Sequence, residues 1–332
     1  MTGYAIRRLA AAAVQLLIIA FVAFVLFFLI AELTGANPAQ RVAGKGATPA
    51  RVREIAHIMG TDRPWYSQYG TFVWRLAHGN LGYSFQRRQS VSSIVFPAAG
   101  VTASLVAGAA VLWLVIAIVV GLIGALRPRS LIDRILTIGV QTAIAAPVFW
   151  VAPMLSFLLA YQPTQGKLLG ISLGRRVDWL PIEGYVGPLA NPLEWAHHLI
   201  LPWLALAIGF AALYARFVRA FVLEQLSEEY VKTARAKGAG TWRIIRHHIA
   251  WLVAPAIVTL LGLDVGVALG GALFVENVFG LPGLGYVGLS SISNLDYPLT
   301  VGTITFAALV AVAANAVADL AQAALDPRVR LG

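Results

Sequence analysis

Apolar residues in this chain do not alternate with polar ones. They come in unbroken runs, at roughly Leu9–Ala31, Val101–Leu126, Ile135–Ala160, Leu199–Val218, Leu252–Val275 and Leu299–Ala324. Several of these approach or exceed about 18 residues without a charge, the length of helix that crosses about 30 Å of hydrocarbon. Strict alternation, the mark of a membrane β-barrel strand, is missing. The pattern predicts an all-α, polytopic helical integral membrane protein with six transmembrane helices. Composition agrees: of 332 residues, 59% are hydrophobic and 12% charged. A soluble domain could not keep that much apolar surface out of water.

The first run follows Arg7-Arg8. It is longer than the apolar stretch of a signal peptide, and no small-x-small cleavage site follows, so it is expected to stay as the first span. Six spans put both termini on one side, and Lys and Arg say which. One set of segments carries Arg7 and Arg8, then Arg127, Arg129 and Arg134. It continues with Arg216, Arg219, Lys232, Arg235, Lys237, Arg243 and Arg246, then Arg328 and Arg330. The two short opposite loops carry only Lys167, Arg175 and Arg176. The segment after the first span holds eight more basic residues, but long translocated segments largely escape the positive-inside rule. Both termini and the loop around residues 222–252 are expected in the cytoplasm. The net charge of +10 then reports orientation rather than a nucleic-acid partner. The organisation expected is residues 1–32 as N-terminus and first span, 33–100 as an extracytoplasmic subdomain, and 101–332 as a five-helix core. Within 33–100, Pro49–Gly60 has weak helical periodicity, and Pro64, Gly70, Gly79 and Gly82 punctuate the rest.

Between the fourth and fifth runs lies Glu228–Pro255, EEYVKTARAKGAGTWRIIRHHIAWLVAP. Tyr230, Ala234 and Gly238 fall at i, i+4, i+8 and form one stripe of a helix, with Lys232 and Arg235 roughly opposite. Ala234 and Gly238 would let another backbone approach closely. Gly238-Ala239-Gly240 breaks the helix, Thr241 is expected to cap the next one, and Trp242 and Ile245 would give that helix an apolar side. Two readings follow: a docking surface for a cytoplasmic protein, or a basic amphipathic loop lying on anionic lipid headgroups.

The same segment resembles the cytoplasmic signature loop of permease subunits in binding-protein-dependent ABC importers, which reads roughly Glu-Ala-Ala-x-x-x-Gly. Its counterpart here is Lys232-Thr233-Ala234-Arg235-Ala236-Lys237-Gly238, with Lys for the leading Glu and Thr in second position. The later Ile-x-Leu-Pro element is not intact. These departures resemble the dipeptide/oligopeptide/nickel branch, in the first or B-type permease of its pair. Other stretches fit in order: Ile6–Leu9, Thr34–Pro38 (a degraded Pro-Gly-Asp-Pro turn), Gly60–Pro64, Gln68-Tyr69 and Gly79–Ser84, with Asn80 where Asp is usual. Pro147–Trp150, Ala215-Arg216, Arg219-Ala220, Gly270-Gly271, Val275-Glu276, Phe279–Gly285, Asp296–Pro298 and Leu325–Leu331 continue the series along nearly the whole chain.

The resemblance implies a type I ABC importer permease fold in a bacterial cytoplasmic membrane. It implies a second, homologous permease, two ATP-binding cassette subunits, an extracytoplasmic substrate-binding protein and a peptide substrate. Tyr230, Lys232, Thr233, Ala234, Arg235, Ala236, Lys237, Gly238, Ala239 and Gly240 would couple to the ATPases. The chain has no phosphate-binding loop of the G-x-x-x-x-G-K-[ST] kind, so ATP and Mg belong to the partners and no cofactor is expected here. Within the branch, nickel chelates, haem or glutathione are rival substrates. An ATP-independent secondary carrier would show inverted repeats and paired broken helices, and a membrane enzyme would need a nucleophile or metal motif. The sequence offers none of these convincingly.

Polar groups inside the apolar runs are expensive and point to function. Asp264 lies in the fifth run, where the branch is expected to carry Gln, about opposite the Gly262/Gly266/Gly270 stripe, which is suited to close helix packing. It is either a negative spot in the translocation path that favours cationic peptides, or a structural carboxyl. Glu276, Phe279 and Pro282 belong to a Gly- and Pro-interrupted stretch expected to re-enter near the outer mouth, as a gate or as a packed loop. Asn315 and Asp319 share a face of the last run, and Asp319 is expected to pair with Arg216 or Arg219. His197-His198 and His247-His248 are adjacent pairs that point apart on a helix, so no metal site is expected. With no cysteine, no disulfide or thiol chemistry arises.

Overall fold

The computed structural model describes residues 2–33, 38–44, 46–84, 86–160, 167–168, 171–172, 180–181 and 183–325. The side chains of 2–6, 8–9, 26–33, 38, 41–42, 59, 160, 167–168, 171–172 and 318–325 are outside that description. Residues 34–37, Arg175, Arg176, Arg328 and Arg330 therefore lie outside the described residues, as do the side chains of Lys167 and Asp319.

The described chain is almost wholly helical. In order, the helices are α1 (Thr2–Leu33), α2 (Pro38–Ala43), α3 (Pro49–Met59), α4 (Trp65–Ala77), α5 (Val91–Leu126), α6 (Leu131–Ala145) and α7 (Val148–Leu155). They continue with α8 (Pro192–Leu226), α9 (Glu229–Ala236), α10 (Thr241–Ile244), α11 (Ala250–Val278), α12 (Leu284–Ser293) and α13 (Tyr297–Leu325). Short antiparallel pairs join Tyr83–Ser84 (β1) to Gln89–Ser90 (β2), and Lys167–Leu168 (β3) to Ile171–Ser172 (β4). Four described helices are long and apolar enough to cross a membrane: Val91–Leu126, Pro192–Leu226, Thr241–Val278 and Tyr297–Val317. The third predicted span is a bent pair, Leu131–Ala145 and Val148–Leu159, turned by 109°. α1 adds the described apolar stretch Ala10–Val25. A count of six spans is compatible with this set.

The bend has a local cause. Pro147 cannot donate to a continuing helix and pushes its predecessor out of the α region, and Ala146 is extended at φ −83°, ψ 114°. Helix ends elsewhere follow side-chain chemistry. Ser130 caps α6, Asn191 caps α8 and Thr48 caps α3, each accepting a backbone N–H. α3 stops at Gly60, which takes φ +73°, a conformation only glycine adopts freely. Gly79 and Gly82 also have positive φ, whereas Gly70, expected to break the chain, lies inside α4.

Two compact units divide the chain: residues 1–100 with 282–316, and residues 101–281 with 317–332. In the first, α4 lies along α1, with Tyr69 between Phe21 and Phe24 at ring distances of 5.3 and 5.5 Å. Leu81, Val91, Val95, Ala98, Leu284, Val287 and Leu299 form its core. Beside that core, Ser84 Oγ donates to Asp296 Oδ2 at 2.5 Å, both buried. This joins the Gly79–Ser84 motif to the Asp296–Pro298 motif across 212 positions of sequence.

In the second unit α8 is central. Its apolar residues pack with α5, α7 and α11 around Leu105, Trp113, Leu206, Tyr214, Ala268 and Ala272. Packing is tight where small residues allow it: a Cβ on Gly121 would stand 2.7 Å from Val218 Cβ. The Gly262/Gly266/Gly270 stripe does not supply the close approach throughout. Gly270 is exposed with open space around it, and its neighbour Gly271 meets Leu206 instead. With 35 residues, α8 is about 52 Å long. It therefore extends well past a hydrocarbon core of about 30 Å, and its projecting end carries the loop described next.

Candidate functional site

After α8 ends at Leu226, the chain turns through Ser227 and starts α9. One residue seats α9. Val231 is completely buried in a cluster with Val218 and Val222 of α8, Ala125 of α5, and Ile244, Ile245, Ile249 and Val253. Tyr230 and Ala234 flank this cluster on its partly buried margin. The stripe expected to receive another backbone thus faces the protein's own core at two of its three positions. Tyr230 is held further by its hydroxyl, which donates to Gln225 Oε1 at 3.0 Å, and its ring lies 6.3 Å from that of His248. Burial, with the charge of Glu228 adding to it, pushes the Tyr230 phenol above its usual range.

The outward face is the complement of that stripe. Lys232, Thr233, Arg235, Ala236, Lys237, Gly238 and Gly240 are all exposed. Lys232 Nζ bonds Glu229 Oε1 at 2.6 Å, a surface pair worth little in stability. α9 ends in a Schellman motif. Gly238 sits at φ +82°; its N–H donates to Arg235 O at 2.9 Å, and that of Ala239 to Ala234 O at 3.0 Å. Ala239 and Ala234 both pack against the Val231 cluster, which supplies the apolar contact such a stop carries.

The next helix departs from expectation in two ways. Its N-cap is Gly240, already extended at φ −70°, ψ 154°, and Thr241 is the first helical residue. Its apolar side is Ile244, Ile245 and Ile249, all buried, while Trp242 is 65% exposed. Residues Ile245–Ile249 widen into a π-helical turn before α11. That extra residue per turn lets Ile244, Ile245 and Ile249 all point into the cluster. Such π-turns concentrate at functional sites.

The polar groups expected inside the membrane have partners. Tyr214, buried in α8, donates its hydroxyl to Asp264 Oδ2 at 2.7 Å. Asp264 remains partly exposed. The Glu276 carboxylate is fully buried in the last turn of α11, where Thr102 Oγ1 donates to Oε1 at 2.6 Å. Phe279 caps that helix and is buried. Gly280 then takes φ +59°, and Leu281 N–H returns to Glu276 O at 2.9 Å. In the other unit, Pro282 is exposed just before α12. The interrupted stretch is therefore a helix stop followed by a short helix.

Arg219 is engaged by Asp133, with Nε reaching Oδ1 at 2.8 Å and an amino nitrogen reaching Oδ2 at 2.9 Å; its expected pairing, or that of Arg216, with Asp319 lies outside the described residues. Sequence reasoning missed Asp133 and Val231. His198 Nδ1 and His247 Nδ1 contact the backbone carbonyls of Glu194 and Arg243 at 2.9 and 3.1 Å.

The profile described as "Binding-protein-dependent transport system inner membrane component" matches residues 117–331, and that family's N-terminal profile matches residues 1–106. A Brucella abortus (strain 2308) chain named as a peptide transport system permease protein is 32% identical over 330 residues, covering 99% of each chain. The D,D-dipeptide transport system permease protein DdpB of Escherichia coli K12 is 34% identical over 325 residues, 93% of each. A peptide ABC transporter permease protein of Sinorhizobium fredii is 29% identical over 330 residues, 99% of this chain and 100% of that one. Helices of membrane-spanning length, an ordered loop at the end of α8 and family matches to residues 1–106 and 117–331 lead to one conclusion: this chain belongs to the binding-protein-dependent transport system inner membrane components.

Proposed function

We propose that this chain is one of the two permease subunits of an ATP-driven importer that moves peptides across the cytoplasmic membrane. Residues 222–252 are its contact with the ATPases. The observation that carries this reading is the build of α9: anchored from below by Val231, stopped at Gly238, and presenting Lys232, Thr233, Arg235, Ala236 and Lys237 outward. A loop that only joined two spans would not need an ordered helix with its own apolar footing. The relatives named for peptide and dipeptide transport support the substrate class.

In this reading both termini and the loop are cytoplasmic, as the Lys and Arg distribution supports. Residues 33–100 lie outside, where a substrate-binding protein would deliver its cargo, and residues 101–332 form the core. ATP and Mg are handled by the two cassette subunits, and a second permease completes the path. Asp264 borders that path and favours positively charged or N-terminally charged peptides. Glu276, Phe279 and Pro282 act where the path closes.

The test is to isolate the chain with its native partners from solubilised membranes and rebuild the complex in liposomes. Recovery of a second permease, ATPases and a binding protein, with ATP-dependent uptake of labelled di- and oligopeptides, is the expected result. Uptake driven by an ion gradient and indifferent to ATP would overturn it. A binding protein carrying a metal chelate, haem or glutathione would keep the machinery and replace the substrate.

A further inference from the structure

Asp133, outside the proposed contact loop, is a buried carboxylate with several partners. It is 5% exposed. Besides the two bonds from Arg219, its Oδ2 accepts the backbone N–H of Arg129 at 2.9 Å. Its own N–H donates to Ser130 Oγ at 3.1 Å, so the Arg127–Ser130 turn is folded around it. α5 makes room for the pair at Gly124, where a Cβ would stand 3.1 Å from Arg219 Cδ and 3.3 Å from Asp133 Oδ1.

The neighbours on each side give the pair its meaning. On α8, Arg219 sits between Val218 and Val222, two of the residues that hold Val231 and the Ile244–Ile249 segment. On the other side, Asp133 lies in the first turn of α6, which packs along α8 and leads through the 109° bend into α7. Apolar contact resists separation but lets surfaces slide. A two-pronged guanidinium–carboxylate contact fixes angle as well as distance. The carboxylate is buried while the Arg219 side chain keeps 35% of its exposure, and the best-attested uses of such desolvated ion pairs are registry and switching.

We propose that the Asp133–Arg219 pair is the positioning joint that makes α6 move with the Glu229–Ile249 loop. Displacement of that loop by the ATPases then reaches the bent pair α6–α7 as one motion. This rests on the importer reading above.

The test uses the complete complex in liposomes with its binding protein. ATP hydrolysis and entry of a labelled mixture of di-, tri- and pentaalanine are read on the same vesicles. Asp133→Asn keeps the shape and removes the charge; Arg219→Lys keeps the charge and gives up the fork. The joint predicts that peptide moved per ATP falls about tenfold while hydrolysis stays within about twofold of the parent. If uptake and hydrolysis fall together, in proportion to assembled complex, the pair only holds the fold and the proposal is overturned. An unchanged ratio overturns it too. Should Asp133→Asn fail to assemble, Arg219→Lys decides on the same ratio. A parent complex that hydrolyses ATP without moving peptide overturns the peptide substrate, and the same ratio is then read with the cargo its binding protein carries; one that does neither overturns the importer reading and the joint with it.

Discussion

The Tyr214 hydroxyl and the Asp264 carboxylate, 2.7 Å apart, separate two effects that a single substitution usually mixes. Tyr214→Phe leaves a carboxylate short of a donor. It should cost about 1–3 kcal/mol in stability, read as a lower melting temperature of the solubilised protein by tryptophan fluorescence. Asp264→Asn retains an oxygen acceptor for Tyr214, so melting should hardly move. Uptake of lysine-containing peptides should then drop relative to neutral ones. Equal uptake of every peptide class by Asp264→Asn would remove Asp264 from the path.

Val231 is the other residue on which much depends. Val231→Ala removes apolar volume at a site with no solvent contact and should cost about 2 kcal/mol. The loss falls on the loop's footing, so faster proteolysis at residues 236–240 is the sensitive readout. Val231 is hard to read in the sequence because it stands between Tyr230 and Lys232 in a short, highly charged segment with no apolar run around it. Helical spacing names the faces of α9 but not which one looks inward, and the small residues of the Tyr230/Ala234/Gly238 stripe suit a neighbouring backbone of this chain as well as one of a partner. The cluster of Ile244, Ile245 and Ile249 was the available signal, since buried apolar residues need counterparts.

At the scale of elements, glycines discriminate between packing and strain. Gly238 has open space around it, so Gly238→Ala meets only the strain of a left-handed backbone, about 1 kcal/mol. It should loosen the stop of α9 and lower ATP-coupled uptake without changing the bundle. Gly121 is the opposite case. A Cβ there would stand 2.8 Å from the backbone oxygen of Ala215, so Gly121→Ala should force α5 from α8 and cost about 1–3 kcal/mol. Gly139, inside α6 with nothing nearby, should tolerate Ala and gain about 0.5–1 kcal/mol from helix propensity. Melting temperatures of the three variants check the order. The apolar runs located the long helices well, because hydropathy reports a physical requirement of the bilayer. They could not show the bend at Pro147 within the third run, since other prolines here, such as Pro202 and Pro255, lie inside continuous helices. Nor could they show Asp133 meeting Arg219, a contact made across 86 positions.

For the whole molecule, orientation is the property that the charge distribution argues and labelling can test. The chain has no cysteine, so each introduced one is a unique label. Ile58→Cys lies at an exposed position, as does Lys237→Cys. A membrane-impermeant maleimide added to intact cells should mark the first and spare the second; the reverse pattern would invert the topology.

The unit made of residues 1–100 and 282–316 is discontinuous, and its hairpin is fastened by a bond from Ser84 to Asp296 across 212 positions. At synthesis rates of about 5–20 residues per second, that is a wait of about 10–40 s. For that interval the Tyr83–Ser90 hairpin has been made but its anchor has not. The order of biosynthesis therefore delays the final form of this hairpin until Asp296 is made, and chains arrested before α13 should remain open to proteases there.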